Sequence, residues 1–113
     1  MGYRGMSASE DAVWSVVMFD LPVKTKLQRT EATQFRNLLL DQGYQMAQYS
    51  VYVRFSPSYQ SLRPTLKTIR ALVPPGGEVR MLHVTDRQWS NAWRCVNASQ
   101  CLVEDAPQLL TIF

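Results

Sequence analysis

The chain has 113 residues, 46% of them hydrophobic and 19% charged, with a formal net charge of +3. That length sets one domain with a single core, small enough to gain from self-association, and no apolar stretch approaches the roughly 20 residues of a membrane-spanning helix. Two cysteines, Cys95 and Cys101, lack CxxC spacing and a neighbouring histidine, so they read as ordinary thiols and argue against a disulfide framework or a zinc site.

Residues 1–12 form a tail without the apolar core of a secretory signal, from which a cytoplasmic, membrane-free protein is expected. Val13-Trp14-Ser15-Val16-Val17-Met18-Phe19-Asp20-Leu21-Pro22 follows, an almost unbroken apolar, β-branched and aromatic run of strand length. Such a run predicts a strand buried on both faces. Pro22 has no amide hydrogen to give a sheet, so the chain leaves there and Asp20 stands at the rigid exit of a buried strand. Its bland role is to solvate or cap that turn.

Thr25-Lys26-Leu27-Gln28 has the Thr-x-x-Gln form of a capping box and predicts a helix start, with Gly43 as the stop. Leu27, Phe35, Leu38 and Leu39 fall on one side of this helix, and Lys26, Arg29, Thr33 and Arg36 make a basic stripe on another. Tyr44 to Phe55 is rich in aromatic and β-branched residues and is twice the usual strand length, so it divides into two strands with a bend near Gln48 to Ser50. A second helix is expected to run to about Val73, with Leu62, Leu66, Ile69 and Val73 inward, Arg63, Lys67 and Arg70 as a second basic stripe, and Ser61 as N-cap so that Pro64 falls in the first turn. Pro74-Pro75-Gly76-Gly77 ends it, and Glu78 to Val84 reads as another strand. His83, the one histidine, reads as a packed or edge residue rather than a general base.

Strand, helix, strand, strand, helix, strand is the split βαβ order, an α+β ferredoxin-like fold spanning residues 13–85 with both helices on one face of an antiparallel sheet. The other face, carrying Tyr, Trp and Val, is expected to be buried against a second copy in a two-fold homodimer. Residues 86–113 form a C-terminal extension, polar through Asp86, Trp89, Trp93 and Asp105, then Pro107-Gln108-Leu109-Leu110-Thr111-Ile112-Phe113. Leu109, Leu110, Ile112 and Phe113 mark an extra terminal strand for docking on a sheet edge, its own or a partner's.

Charge is uneven along the chain. Between Leu21 and Arg80, nine basic residues (Lys24, Lys26, Arg29, Arg36, Arg54, Arg63, Lys67, Arg70 and Arg80) stand against three acidic ones, Glu31, Asp41 and Glu78. That imbalance is the electrostatic footprint expected for a polyanion partner, the alternative being a solvated basic surface without function, and Lys24 is its one member outside the expected nucleic-acid contacts.

The ordered set Met18-Phe19-Asp20-Leu21-Pro22, Gln34-Phe35-Arg36 with Leu38 to Leu40 and Gly43-Tyr44, Gln48-Tyr49-Ser50-Val51-Tyr52-Val53-Arg54, Pro74-Pro75-Gly76-Gly77-Glu78-Val79, Val84 to Trp89, and Pro107-Gln108-Leu109 with Phe113 resembles the Cas-two family of CRISPR-associated proteins. The resemblance looks closest to its type II members. It implies a homodimer that bridges dimers of the Cas-one integrase and lays prespacer duplex DNA along itself before spacer insertion. It also implies a metal-dependent endoribonuclease or endonuclease activity, with Asp20 as catalytic residue and Mg²⁺ ligand. A carboxylate with retained waters suits Mg²⁺, and two-fold symmetry would bring two copies of Asp20 together. One carboxylate per chain, with no second acid in the first strand and no evident base, is a thin catalytic set, so the scaffold is expected to be the main function. Two rival classes share the fold: a toxin-type mRNA endoribonuclease, separable by genomic neighbourhood, and a small-ligand regulatory domain, which would bring a glycine-bearing loop or polar pocket that the sequence lacks.

Overall fold

The computed structural model describes residues 12–97 and 100–103. The elements run β1 (Val13–Asp20), α1 (Lys26–Asp41), β2 (Gln45–Gln48), β3 (Val51–Ser56), α2 (Tyr59–Ala71), β4 (Glu78–Thr85), α3 (Asp86–Ser90), β5 (Trp93–Val96) and β6 (Gln100–Val103). The first four strands make one antiparallel sheet in the order β2-β3-β1-β4, and β5 and β6 pair separately. This is the ferredoxin-like α+β architecture, with the long strand β1 inside the sheet between β3 and β4.

The alternation along β1 decides what each face does. Val17 and Phe19 enter the core with Phe35 and Leu39 of α1, Ile69 of α2 and Tyr52 of β3, while Val13 packs with Leu62 and Leu66. Phe19 meets Phe35 edge-on at 5.4 Å and lies over Tyr52 at 5.6 Å, which fixes the end of β1 from the helix side. Because successive side chains point to opposite faces, Trp14, Val16, Met18 and Asp20 belong to the face without α1 and α2. Ser15, buried among the inward residues, shares a 2.7 Å hydrogen bond with the Tyr44 hydroxyl, so the one polar side chain on β1's core side is satisfied.

Local chemistry sets the helix ends. The Thr25 hydroxyl accepts from the Gln28 amide and the Gln28 side chain accepts from the Thr25 amide, each at 3.0 Å, which is the expected capping box. At the other end Gly43 takes φ +91, its amide bonds the Leu40 carbonyl, and the Tyr44 amide bonds that of Leu39, as in a Schellman stop. Helix α2 begins three residues before its expected start: Ser58 is the N-cap, its hydroxyl accepting from the Ser61 amide at 3.1 Å. Pro64 therefore sits inside the helix, past the first turn, and α2 ends at Ala71. The long aromatic run does divide at Tyr49-Ser50, with a bulge in β2 between Met46 and Gln48.

Two expectations for the second half change. The sheet face opposite the helices is partly covered from within the chain, because Trp89 of α3 stacks on Trp14 at 4.8 Å and Asp86 accepts from the Trp14 indole at 2.8 Å. Trp14, Val16, Val51 and Val53 on the sheet line one groove with Trp93 and Val96 of β5. Cys95, expected to be an ordinary thiol, is disulfide-bonded. Hairpin pairing sets the backbone of Cys95 opposite that of Cys101 in the register, a spacing at which cross-strand cysteines can be bridged. The expected terminal strand, with Leu109, Leu110, Ile112 and Phe113, lies outside the described residues.

Candidate functional site

Asp20 is the last residue of β1 and is exposed, on the face away from α1 and α2. The loop after α2 holds it in place. Gly77 lies so close over the strand exit that an added Cβ would stand 2.5 Å from Leu21 Cδ2 and 3.6 Å from the Asp20 carbonyl oxygen, and Gly76 in the left-handed region (φ +76) carries the chain around Pro22. The proline-glycine run thus presses on the exit and delivers the chain directly into Glu78.

Antiparallel pairing of β1 with β4 sets Asp20 opposite Glu78 and Met18 opposite Arg80. Residues directly opposite share a face, and diagonal neighbours remain within reach of long side chains. Asp20, Glu78 and Arg80 therefore line one shallow surface with Met18 and Phe19. Arg80 reaches Glu78 at 3.4 Å, an exposed pair with 70% and 74% of the two side chains open to solvent, a setting in which ion pairs are worth at most about 1 kcal/mol. Arg80 remains available to an anion.

Glu78 is the second acid absent from the first strand. From sequence it reads only as the start of a strand and a member of the acidic count; the signal that identifies it is topological, because in this fold the end of the first strand must meet the beginning of the fourth. Two carboxylates on neighbouring strands, both water-exposed, fit the Mg²⁺ that the resemblance implies, which takes one or two carboxylates and completes its shell with water and substrate oxygens. No group of three or more His, Cys, Asp or Glu side chains that could hold a metal ion occurs among the described residues.

The expected nucleic-acid contacts other than Arg80 separate into three groups. Arg63, Lys67 and Arg70 are all exposed on α2 and border one groove together with Tyr59 and Gln60. Lys26 and Arg29 are exposed and Arg36 half-buried on α1, with Arg29 partly engaged by the Val23 and Lys24 carbonyls at 3.2 and 3.1 Å. Arg54 is different: its guanidinium turns toward the helices and donates to the Thr65 hydroxyl at 2.7 Å and the Gln42 carbonyl at 3.0 Å. It braces α1, β3 and α2, so its geometry is that of a structural residue and not of a phosphate contact. Strand alternation carries the cause, since Arg54 shares its side of β3 with buried Tyr52 and Ser56.

A profile of the family described as CRISPR associated protein Cas2 matches residues 13–92. The chain belongs to the Cas2 family. The matched segment starts with β1 and extends past α3, so it includes Asp20, Glu78 and both basic helices. A Paracidovorax avenae protein named CRISPR-associated endoribonuclease Cas2 is 41% identical over 112 residues, 99% of this chain and 97% of its own length. A Parvibaculum lavamentivorans protein of the same name is 37% identical over 101 residues, 89% of this chain and all of its own. The crystal structure of Streptococcus pyogenes Cas2 at pH 6.5 superimposes with a TM-score of 0.52 at 18% identity, covering 67% of this chain and 89% of that one, a likeness of fold. None of the helices described is long and apolar enough to cross a membrane.

Proposed function

We propose that this Cas2-family protein serves CRISPR adaptation as a dimeric scaffold that holds prespacer duplex DNA and bridges Cas-one integrase dimers, and that it carries an Asp20-dependent endoribonuclease site of the kind its relatives' names record. The observation that carries the reading is the division of the molecule. Exposed cations run along α1 and α2 on one side of the sheet, while the apolar strand face and the Asp20-Glu78 pair lie on the other. Cations in rows on helices suit a duplex backbone, which they bind for affinity and register without reading bases. On the opposite face Phe55 and Leu82 are exposed at 49% and 38%, apolar area that a second copy would bury.

For hydrolysis, Asp20 and Glu78 would hold Mg²⁺, which when bound activates water and offsets charge on the phosphodiester. The chain's own part is to fix both carboxylates at strand ends backed by Phe19 and the Gly77 loop, and to offer Arg80 to the phosphate. Asp20→Asn tests the division of labour because it removes the charge but keeps the shape. RNA cleavage is expected to fall by orders of magnitude, whereas prespacer integration by the Cas-one partner persists at equal dimer concentration. Loss of integration with dimer and DNA binding intact would overturn the scaffold reading.

A further inference from the structure

A groove of about 750 Å³ runs between the sheet and β5, and all three tryptophans of the chain, Trp14, Trp89 and Trp93, border it. Strand register builds its floor. Val16 of β1 pairs with Val53 and Met18 with Val51, while Gln45 and Gln48 of β2 stand opposite Val53 and Val51. Directly opposite residues share a face, so two carboxamides flank an apolar floor on the side of the sheet without α1 and α2. Val16 and Val53 are buried there although both long helices lie on the other face, as the C-terminal extension closes over them.

The groove's chemistry is uneven. Trp14 and Trp89 stack on one another and Trp14 donates to Asp86, so these two indoles brace the extension against the sheet. Trp93 instead stays 53% exposed at the start of β5. Arg94, exposed next to it in the chain, is among the described residues the one charged side chain that borders the groove. Leu82, part of the apolar area assigned above to a second copy, lies on β4 opposite Val16, across β1 from this groove. An apolar cavity of this size with a few polar groups on its walls has the make-up of a ligand site. An indole, a single cation and two amides suit a ligand that is flat, aromatic and anionic.

We propose that this groove binds an unpaired nucleotide of a single strand, its base stacked on Trp93, its phosphate paired with Arg94 and its base edge facing the Gln45 and Gln48 amides. A guanidinium meets a phosphate through charge-assisted hydrogen bonds, and a carboxamide offers a donor and an acceptor side by side to a base edge. An unpaired base presents its π-face to an aromatic ring, whereas bases in a duplex have both faces occupied by their neighbours. The groove therefore takes single strand on one side of the sheet while the helices take duplex on the other, and it uses neither Asp20 nor the basic helices. One stacked base contributes roughly a fivefold to hundredfold gain in affinity.

The test uses the full chain carrying Asp20→Asn, so that strands stay intact, and a short single-stranded oligoadenylate with a fluorescent end label. Because every tryptophan borders the groove, binding is expected to quench the intrinsic emission, which the duplex of the same strand with oligouridylate should not do. Adding Trp93→Leu should weaken single-strand binding, read by anisotropy of the label, at least about fivefold, with Trp93→Phe restoring most of it and duplex affinity unchanged. Arg94→Gln alters only an exposed side chain, so it reads the same site even where loss of the indole disturbs folding. It should flatten the log–log salt dependence of single-strand binding by about 0.7. Unquenched emission with the strand bound, or wild-type affinity and salt slope in these variants, would overturn the proposal. So would equal losses for single strand and duplex, or conversion of dimer to monomer by Trp93→Leu on sedimentation, which would give the groove to a second copy.

Discussion

Arg54 and Thr65 are joined by a 2.7 Å hydrogen bond between a guanidinium Nη1 on β3 and the hydroxyl of a buried threonine on α2. The same Nη1 donates to the Gln42 carbonyl at the end of α1. One cation therefore ties together both helices and the sheet, and in doing so is withdrawn from solvent.

Arg54→Ala strands the Thr65 hydroxyl and leaves the Gln42 carbonyl without its donor. Leaving buried polar groups unpaired costs about 1–3 kcal/mol, and urea denaturation should show a loss of that size. Duplex affinity and its salt dependence should stay as in the wild type. Full stability combined with weakened DNA binding would return Arg54 to the nucleic-acid surface.

The Ser15–Tyr44 pair predicts a second stability effect. Burial raises the Tyr44 pKa above its ordinary value, with the Ser15 hydrogen bond and the Arg54 charge opposing the rise. Tyr44→Phe keeps the ring but leaves the Ser15 hydroxyl, fully buried, without a partner. A loss of about 1–2 kcal/mol is expected, and adding Ser15→Ala should recover part of it because no orphaned group then remains. Strictly additive losses in the double-mutant cycle would show that the two hydroxyls do not act as a pair.

How much of this is legible in the sequence depends on the range of each signal. The capping box at Thr25 and Gln28, the Gly43 stop and the strand over Val13–Asp20 are local, and the chain shows them where the pattern puts them. The start of α2 is ambiguous from sequence because Ser58 and Ser61 are both capping residue types, and the ambiguity resolves only when Ser61 turns its amide and hydroxyl onto Ser58. The site is half legible. Asp20 announces itself as a charge ending an apolar run, but Glu78 and Arg80 acquire meaning only through the β1–β4 register. Arg54 looks like its fellow cations until strand alternation is counted outward from Tyr52. The α3 cap repeats the Thr-x-x-Gln signal at Thr85 and Gln88, so a helix is readable there within what the polar composition presents as a plain extension.

His83 gives a pH dependence with a definite sign. It sits opposite Ser15 on β1, meets the edge of Tyr59 on α2 at 5.1 Å, and its Nε2 has no hydrogen-bond partner among the described residues. Desolvation lowers its pKa from 6.5, so the folded chain favours the neutral ring. The stability this contributes is complete above the unfolded value of about 6.5 and is lost as pH falls through the lower folded value. Unfolding free energy should be level from about pH 8 to 7 and decline below about 6.5, and His83→Leu should reduce that decline. An identical slope in the His83→Leu chain would assign the acid sensitivity to carboxylates.

The two basic helices predict the salt dependence of duplex binding. Each phosphate that a cation neutralises releases condensed counterions, so the slope of log affinity against log salt changes by about 0.9 for every phosphate left without its cation. Arg63, Lys67 and Arg70 are exposed along one face of α2, whereas on α1 Arg29 is committed to two carbonyls and Arg36 is half-buried. Replacing the α2 triple by glutamine should therefore flatten the slope by about 2 to 3 units, and the corresponding Lys26, Arg29 and Arg36 replacement by about 1. The weakening should be uniform across duplex sequences, because backbone contacts carry no base information. Titrations of both triple variants over a range of salt concentrations measure this directly. Equal slopes for wild type and both variants would place the duplex off the helices, with Arg80 and the apolar strand face next to be mutated.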